Sequence, residues 1–298
     1  MTPVALALVA ASVVLHALWH FISKKNDPQL SFFLPISLTV FVLGVPMLVF
    51  AGAWPWSLPP AILWCAFGGG ICGMLCDLGL SYAYRFSEIS LAYPMARALP
   101  VLLTAFVTWM CGIGKPLSAV ALAGMGVIFA GCILLPQAGH GRIRLQTYRN
   151  KGMFGILAAA VGTTGYTVID GIGVQAMFAH LPDAGGILPA GAYSCLREAV
   201  LFLTLFLGSL AAERRLSVRE CFRNRDAYLA GISACLAYLL ILIAMNHVTN
   251  VSFVQAFRQL SLPIGVLFGV VFLKERLGLA KAFALTLILG GLIAVYLG

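Results

Sequence analysis

Residues 90–100 read Ser-Leu-Ala-Tyr-Pro-Met-Ala-Arg-Ala-Leu-Pro, and residues 252–263 read Ser-Phe-Val-Gln-Ala-Phe-Arg-Gln-Leu-Ser-Leu-Pro. Each stretch places an arginine, Arg97 or Arg258, a few residues before a proline in an otherwise apolar setting. An apolar run follows in both. Then comes a break, at Gly112-Ile-Gly-Lys115-Pro116 or at Lys274-Glu275-Arg276-Leu-Gly278, and a glycine-rich apolar segment closes each copy. Two copies of one pattern mark an internal repeat, and a repeat sets the architecture of the whole chain.

Working outward, the 298 residues are 61% hydrophobic and only 10% charged, with a mean hydropathy of +0.98. A soluble domain carries about 25% charged residues and cannot cover its surface with fewer than half of them. A soluble enzyme, a disulfide-stapled secreted domain and a disordered chain are therefore excluded. Cutting at charges, prolines and polar clusters predicts ten spans: 3–23, 30–52, 61–84, 88–111, 117–136, 152–175, 187–210, 226–245, 250–273 and 279–297. Each approaches the roughly 20 apolar residues that a bilayer crossing needs. The first apolar run is followed by Lys24-Lys25 and lacks a basic segment ahead of it, so it reads as a span and not as a cleaved leader.

Five spans per half is an odd number, so the two halves enter the membrane in opposite senses. The fold class expected is an all-α integral membrane protein with ten transmembrane helices as two inverted five-helix repeats. Residues 1–137 form the first repeat, 138–151 a basic cytoplasmic linker and 152–298 the second. Loops after odd-numbered spans carry 15 of the 19 Lys and Arg residues, loops after even-numbered spans carry Lys115 alone, and three arginines lie within spans. The positive-inside rule then makes the odd loops cytoplasmic and puts both termini outside. The expected location is a bacterial cytoplasmic (inner) membrane. The net charge of +9 thus serves orientation and implies no nucleic-acid partner. The eight cysteines fall in apolar runs or a basic loop without zinc-ligand spacing, and no phosphate-cradling glycine loop or nucleophile elbow occurs, so neither metal nor cofactor is expected and the chain is not read as an enzyme.

The intramembrane charges carry the chemistry, because each costs at least about 2.5–3.5 kcal/mol at the bilayer centre. Arg97 lies about 13 Å into span 4 and Arg258 about 12 Å into span 9 at 1.5 Å per residue. They arrive from opposite halves near the midplane of a core about 30 Å thick. Guanidinium forks match carboxylate or phosphoryl oxygens, so an anion is the expected ligand. Helical spacing places Tyr93 beside Arg97, and Gln255 and Gln259 beside Arg258. Trp19 and Tyr166 add aromatic groups on spans 1 and 6, and Arg197 on span 7 has Glu198 next to it. Arg197 is a further candidate to bind the anion, weighed against the reading, favoured for it, that it is tied to Asp77, Glu198 or backbone carbonyls, and Asp170 is expected to lie near the outer end of span 6. His16, His20, Asp77 and Glu88 are candidate proton-coupling groups. His16 and His20, four apart, lack a third metal ligand. Gly69/Gly73 and Gly265/Gly269, also four apart, allow close helix contact.

The sequence resembles the drug/metabolite transporter superfamily in its ten-helix EamA-type form. The resemblance covers the chain and rests on His16-Ala-Leu-Trp19-His20 with Lys24, and on Pro263…Phe272-Leu-Lys-Glu275-Arg276…Gly290-Gly291. Gly165-Tyr166-Thr167 resembles the second-half counterpart of the N-terminal motif, and Arg197 an arginine often found in span 7 of such proteins. The first half departs from the pattern, with Gly114-Lys115 where a Glu-Arg pair is usual. The resemblance implies secondary transport by alternating access around a central cavity. The expected partners are a small-molecule substrate and the lipid bilayer. A monomer suffices, with dimerisation left open. The substrate class expected is a small polar, anionic or zwitterionic metabolite such as an amino acid, organic acid or phosphonate-like compound. Two alternatives are weighed against it. Export of organic cations would need an unpaired acid at mid-depth, where Glu198 is the candidate. An integral-membrane enzyme or a non-transporting scaffold is the alternative of another class.

Overall fold

The computed structural model describes residues 2–25, 30–87, 89–137, 150–212, 221–272 and 278–298, and no strand occurs among them. We label the helices α1 (Pro3–Lys25), α2 (Phe33–Phe50), α3 (Pro60–Phe86), α4 (Ile89–Met110), α5 (Ala119–Leu134), α6 (Gly152–His180), α7 (Ile187–Ala212), α8 (Arg225–Met245), α9 (Val251–Phe257), α10 (Ser261–Phe272) and α11 (Leu279–Leu297). Among the described residues, seven helical stretches are long and apolar enough to cross a membrane, and Pro3–Trp19 and Ala119–Leu134 are shorter apolar helices. Large apolar side chains such as Trp64, Phe106, Phe154, Leu203, Leu236 and Ile293 point outward from them. A surface this apolar suits lipid, where helices also satisfy their own backbone groups. The chain is a multi-pass helical membrane protein.

Local sequence explains where helices start and stop. The Thr2 hydroxyl accepts from Ala5 N–H, the Ser118 hydroxyl from Ala121 N–H, the Asn224 side chain from Asp226 N–H and the Asn250 side chain from Ser252 N–H, so each of these helix starts carries a side-chain cap. Helix α6 runs to His180, beyond the expected limit at 175. No breaker intervenes before Pro182, which pushes Leu181 out of the helical region to φ −124° and ψ 60°. The ninth span is the larger departure: a 3₁₀ turn, Arg258–Leu260, separates α9 from α10. Pro263 has no N–H to give the carbonyl four residues earlier, and its ring crowds that carbonyl, so the α-helical ladder breaks just ahead of it.

The most extensive helix pairings are α3 with α6, α5 with α11, α1 with α8 and α2 with α7. The α3–α6 crossing depends on Gly79 and Gly155. A Cβ on Gly79 would lie 2.4 Å from the Ala159 nitrogen, and one on Gly155 would lie 2.5 Å from the Ala83 nitrogen, so backbone meets backbone there. We expect Gly155→Leu to lower unfolding stability in mild detergent by about 1–3 kcal/mol or more. Gly290→Ala is the control, because a Cβ at Gly290 meets nothing within 4 Å. Equal unfolding midpoints for the two variants would refute this account of the crossing.

One end of the bundle is latched across the chain. Lys115 N–H donates to the Thr249 carbonyl at 2.9 Å, and the Asn250 amide donates to the carbonyls of Ile113 at 3.3 Å and Lys115 at 3.1 Å. At the same end the Thr2 hydroxyl donates to the His247 carbonyl at 3.0 Å. Glu88, most of the 138–151 linker and the Lys274-Glu275-Arg276 motif lie outside the described residues, as do the side chains of His20 and Lys24 and the surroundings of Gly265 and Gly269.

Candidate functional site

A cavity of about 140 Å³ lies among the helices. Its polar walls come from His16 and Trp19 on α1, Ser37 on α2, Asp77 on α3, and Tyr93 and Arg97 on α4. The second half adds Tyr166 on α6, Arg197 and Glu198 on α7, Tyr238 on α8 and Arg258 in the 3₁₀ turn. All three arginines are buried, yet all three line this one space.

Arg97 sits where the chain breaks. In the turn before Pro263 the Arg258 carbonyl accepts from the Ser261 N–H, and the Ser261 hydroxyl also donates to it at 2.9 Å. Arg97 Nη2 donates to the same carbonyl at 3.3 Å and to Ser261 Oγ at 2.5 Å, while its Nη1 contacts His16 Nε2 at 2.8 Å. The Trp19 indole N–H donates to the other ring nitrogen of His16 at 3.1 Å. A neutral imidazole accepts at one nitrogen only, so His16 can satisfy just one of these two donors at a time.

Arg258 is held more loosely. Its Nη1 donates to Gln255 Oε1 at 3.4 Å and its Nη2 to the Tyr166 hydroxyl at 3.3 Å, both long bonds. Its guanidinium carbon stands 5.9 Å from the centre of the Tyr166 ring, and that of Arg97 stands 5.7 Å from the centre of Tyr93. Among the described residues neither arginine has a carboxylate within 4 Å, and the Nε of each is buried without a hydrogen-bond partner.

Arg197 is different, because it is neutralised within the protein. Its Nε lies 3.3 Å from Asp170 Oδ2, and its Nη1 pairs with Glu198 Oε1. Asp170 is fully buried and also accepts from the hydroxyls of Tyr193 (2.8 Å) and Tyr238, while Glu198 accepts from the Ser37 hydroxyl at 2.8 Å. The Tyr166 and Tyr238 rings flank the Arg197 guanidinium, with centres 5.3 and 4.9 Å away. Gly69 and Gly73 make room for this pair. A Cβ on Gly69 would lie 2.0 Å from Asp170 Oδ1, and one on Gly73 would lie 2.7 Å from Arg197 Nη2.

The structure therefore gathers Trp19, Tyr93, Arg97, Tyr166, Arg197 and Arg258 around one space, together with His16 and Asp77. It sets Gln255 and Gln259 behind the wall. Gln255 Oε1 takes bonds from Thr167 and Arg258, and Gln259 Nε2 donates to the carbonyls of Arg97 and Gln255, so both glutamines hold protein and do not face the cavity. Asp170 corrects the expectation that it lies near the end of its helix, since α6 continues ten residues past it and it anchors Arg197. The Arg197–Asp170 pairing and the roles of Ser37, Ser261 and Tyr238 carry no sequence signal beyond being polar in an apolar helix.

Long apolar helices around a buried, charge-rich cavity define the protein as a multi-pass helical membrane protein with a polar interior site. No protein-family profile and no curated protein matches the chain. Among solved structures, one described only as "Crystal structure of protein" is similar to it, with a TM-score of 0.67 and 19% identity over 98% of this chain and 97% of that one. At that identity the likeness speaks for the fold alone.

Proposed function

We propose that this chain is a secondary transporter that moves a small polar anionic or zwitterionic metabolite across a bacterial cytoplasmic membrane by alternating access. The observation that carries the reading is the pair Arg97 and Arg258, two buried guanidinium groups with neutral partners lining one cavity. Uncompensated buried charge costs several kcal/mol, and a ligand that supplies the counter-charge removes that cost. Arg258 makes only long bonds and can turn to an incoming anion with little loss, while Arg97 keeps its grip on the turn through Nη2 and offers Nη1, whose partner His16 it shares with Trp19.

The packing supports two inverted five-helix repeats in the manner of the drug/metabolite transporter superfamily. If α1 corresponds to α6, and α3 to α8, the α1–α8 and α3–α6 contacts are counterparts. The α2–α7 and α5–α11 contacts map onto themselves. Span 9 is then α9 and α10 together, a discontinuous helix of the kind that places binding groups at mid-membrane in transporters. With odd loops inside, the latch between 113–115 and 249–250 closes the outer end across the two halves. Glu198, the acid on which export of organic cations would rest, is bound by Arg197 and Ser37, and Asp77 shares its cavity with Arg97 and Arg258.

Proteoliposomes holding the full chain test the proposal directly. Counterflow of amino acids, organic acids and phosphonates is measured against protein-free vesicles. Saturable flux of at least one anionic or zwitterionic compound is expected. Flux confined to organic cations, or absent for every compound, would sink it.

A further inference from the structure

Among the described residues, three acidic groups lie at or beside the cavity, and two are already engaged. Asp170 is held by Arg197, Tyr193 and Tyr238, and Glu198 by Arg197 and Ser37. Asp77 lines the cavity, is partly buried, and makes no hydrogen bond or ion pair with any described residue. It stands on α3 and shares the space with Arg97 from α4 and Arg258 from the second half.

Charge balance gives this arrangement a meaning. Among the described residues at the cavity, Arg97, Arg197 and Arg258 face Asp77, Asp170 and Glu198, so the set is neutral as a whole. Within it the charges are unevenly distributed. Arg197 lies between two carboxylates, Arg97 and Arg258 have none, and Asp77 has no cation within ion-pair distance. A simple anion would cover the two arginines and leave Asp77 facing added negative charge in a low-dielectric space. A simple cation would meet Asp77 beside two uncompensated guanidinium groups. A molecule with both charges satisfies the two sides and leaves the site neutral.

We propose that Asp77 is a subsite for a cationic group, so that the substrate is a small zwitterion with its acidic end on Arg97 and Arg258 and its ammonium end on Asp77. This rests on the anion reading above and assigns the opposite pole.

The test uses the full chain in lipid nanodiscs with matched probes: β-alanine against propionate, 3-aminopropylphosphonate against propylphosphonate, and propylamine as the lone cation. In the wild type at least one amino-acid-like member is expected to bind about tenfold or more tightly than its deaminated partner. Asp77→Asn is expected to weaken that member by about tenfold or more while changing its deaminated partner by no more than about twofold. Retained binding of the deaminated partner reports that the variant is folded, and the wild-type ratio stands without any variant. Equal wild-type affinity within both pairs, or equal weakening of both members by Asp77→Asn, would overturn the cation subsite and leave the anion reading in place. Preference for propylamine would overturn the zwitterion assignment. Binding of none of the five compounds would overturn the anion reading and this inference with it.

Discussion

Replacing Arg97 and Arg258 together with glutamine is expected to lower the affinity for any transported anion by about 100-fold or more. Each guanidinium offers charge-assisted bonds to an anion, worth about 1.5–3 kcal/mol apiece, and the pair acts on one ligand. The single variants should differ. Arg97 also grips the Arg258 carbonyl and Ser261 across the chain break, so Arg97→Gln should weaken both binding and the packing of the turn. Arg258 holds only Gln255 and Tyr166 at long distance, so Arg258→Gln should weaken binding with little loss of stability. Arg258→Lys keeps the charge but not the planar fork, and should recover part of the affinity. Ligand-dependent thermal shift and counterflow read these effects separately. Unchanged flux of every anion in the double variant would remove the central argument for the site.

Asp170→Ala carries the second large effect, on folding. The carboxylate is fully buried and binds Arg197, Tyr193 and Tyr238 at once, so removing it leaves a buried guanidinium short of countercharge and two hydroxyls without their acceptor. Breaking one side of a buried pair costs about 3–5 kcal/mol, and we expect a loss of that order in the unfolding free energy in detergent. Removing both partners leaves no orphaned charge. Asp170→Ala combined with Arg197→Met should therefore be more stable than Asp170→Ala alone. An Asp170→Ala unfolding curve that overlays the wild type would show that the node contributes nothing.

Arg97 and Arg258 could be picked out directly from residues 90–100 and 252–263, because a charge in an apolar run stands out, and both are buried at one cavity. Asp170 was misplaced because hydropathy has no ruler for a helix that continues past the membrane's needs, and only Pro182 ends α6. Helical spacing puts Gln255 and Gln259 beside Arg258 but does not say which of the three side chains faces the cavity. The 3₁₀ turn at 258–260 advances by 120° per residue instead of 100°, which turns the faces of α9 and α10 relative to each other. Gly69 and Gly73 read as a helix-contact motif, yet the atoms they admit belong to Asp170 and Arg197 side chains.

By itself, then, the sequence determined that this is a multi-pass helical membrane protein and which few charges lie deep within it. Both follow from sums over single residues, since the transfer of each side chain to lipid adds to the next along a helix. Only the tertiary structure decided that Arg197 is spent on Asp170 and Glu198, whereas Arg97, Arg258 and Asp77 face one cavity without carboxylate or cation partners of their own. Charge pairing falls off over a few ångströms, and which groups come that close is set by how the helices pack, as where α7 lies against α6 and brings Arg197 to Asp170.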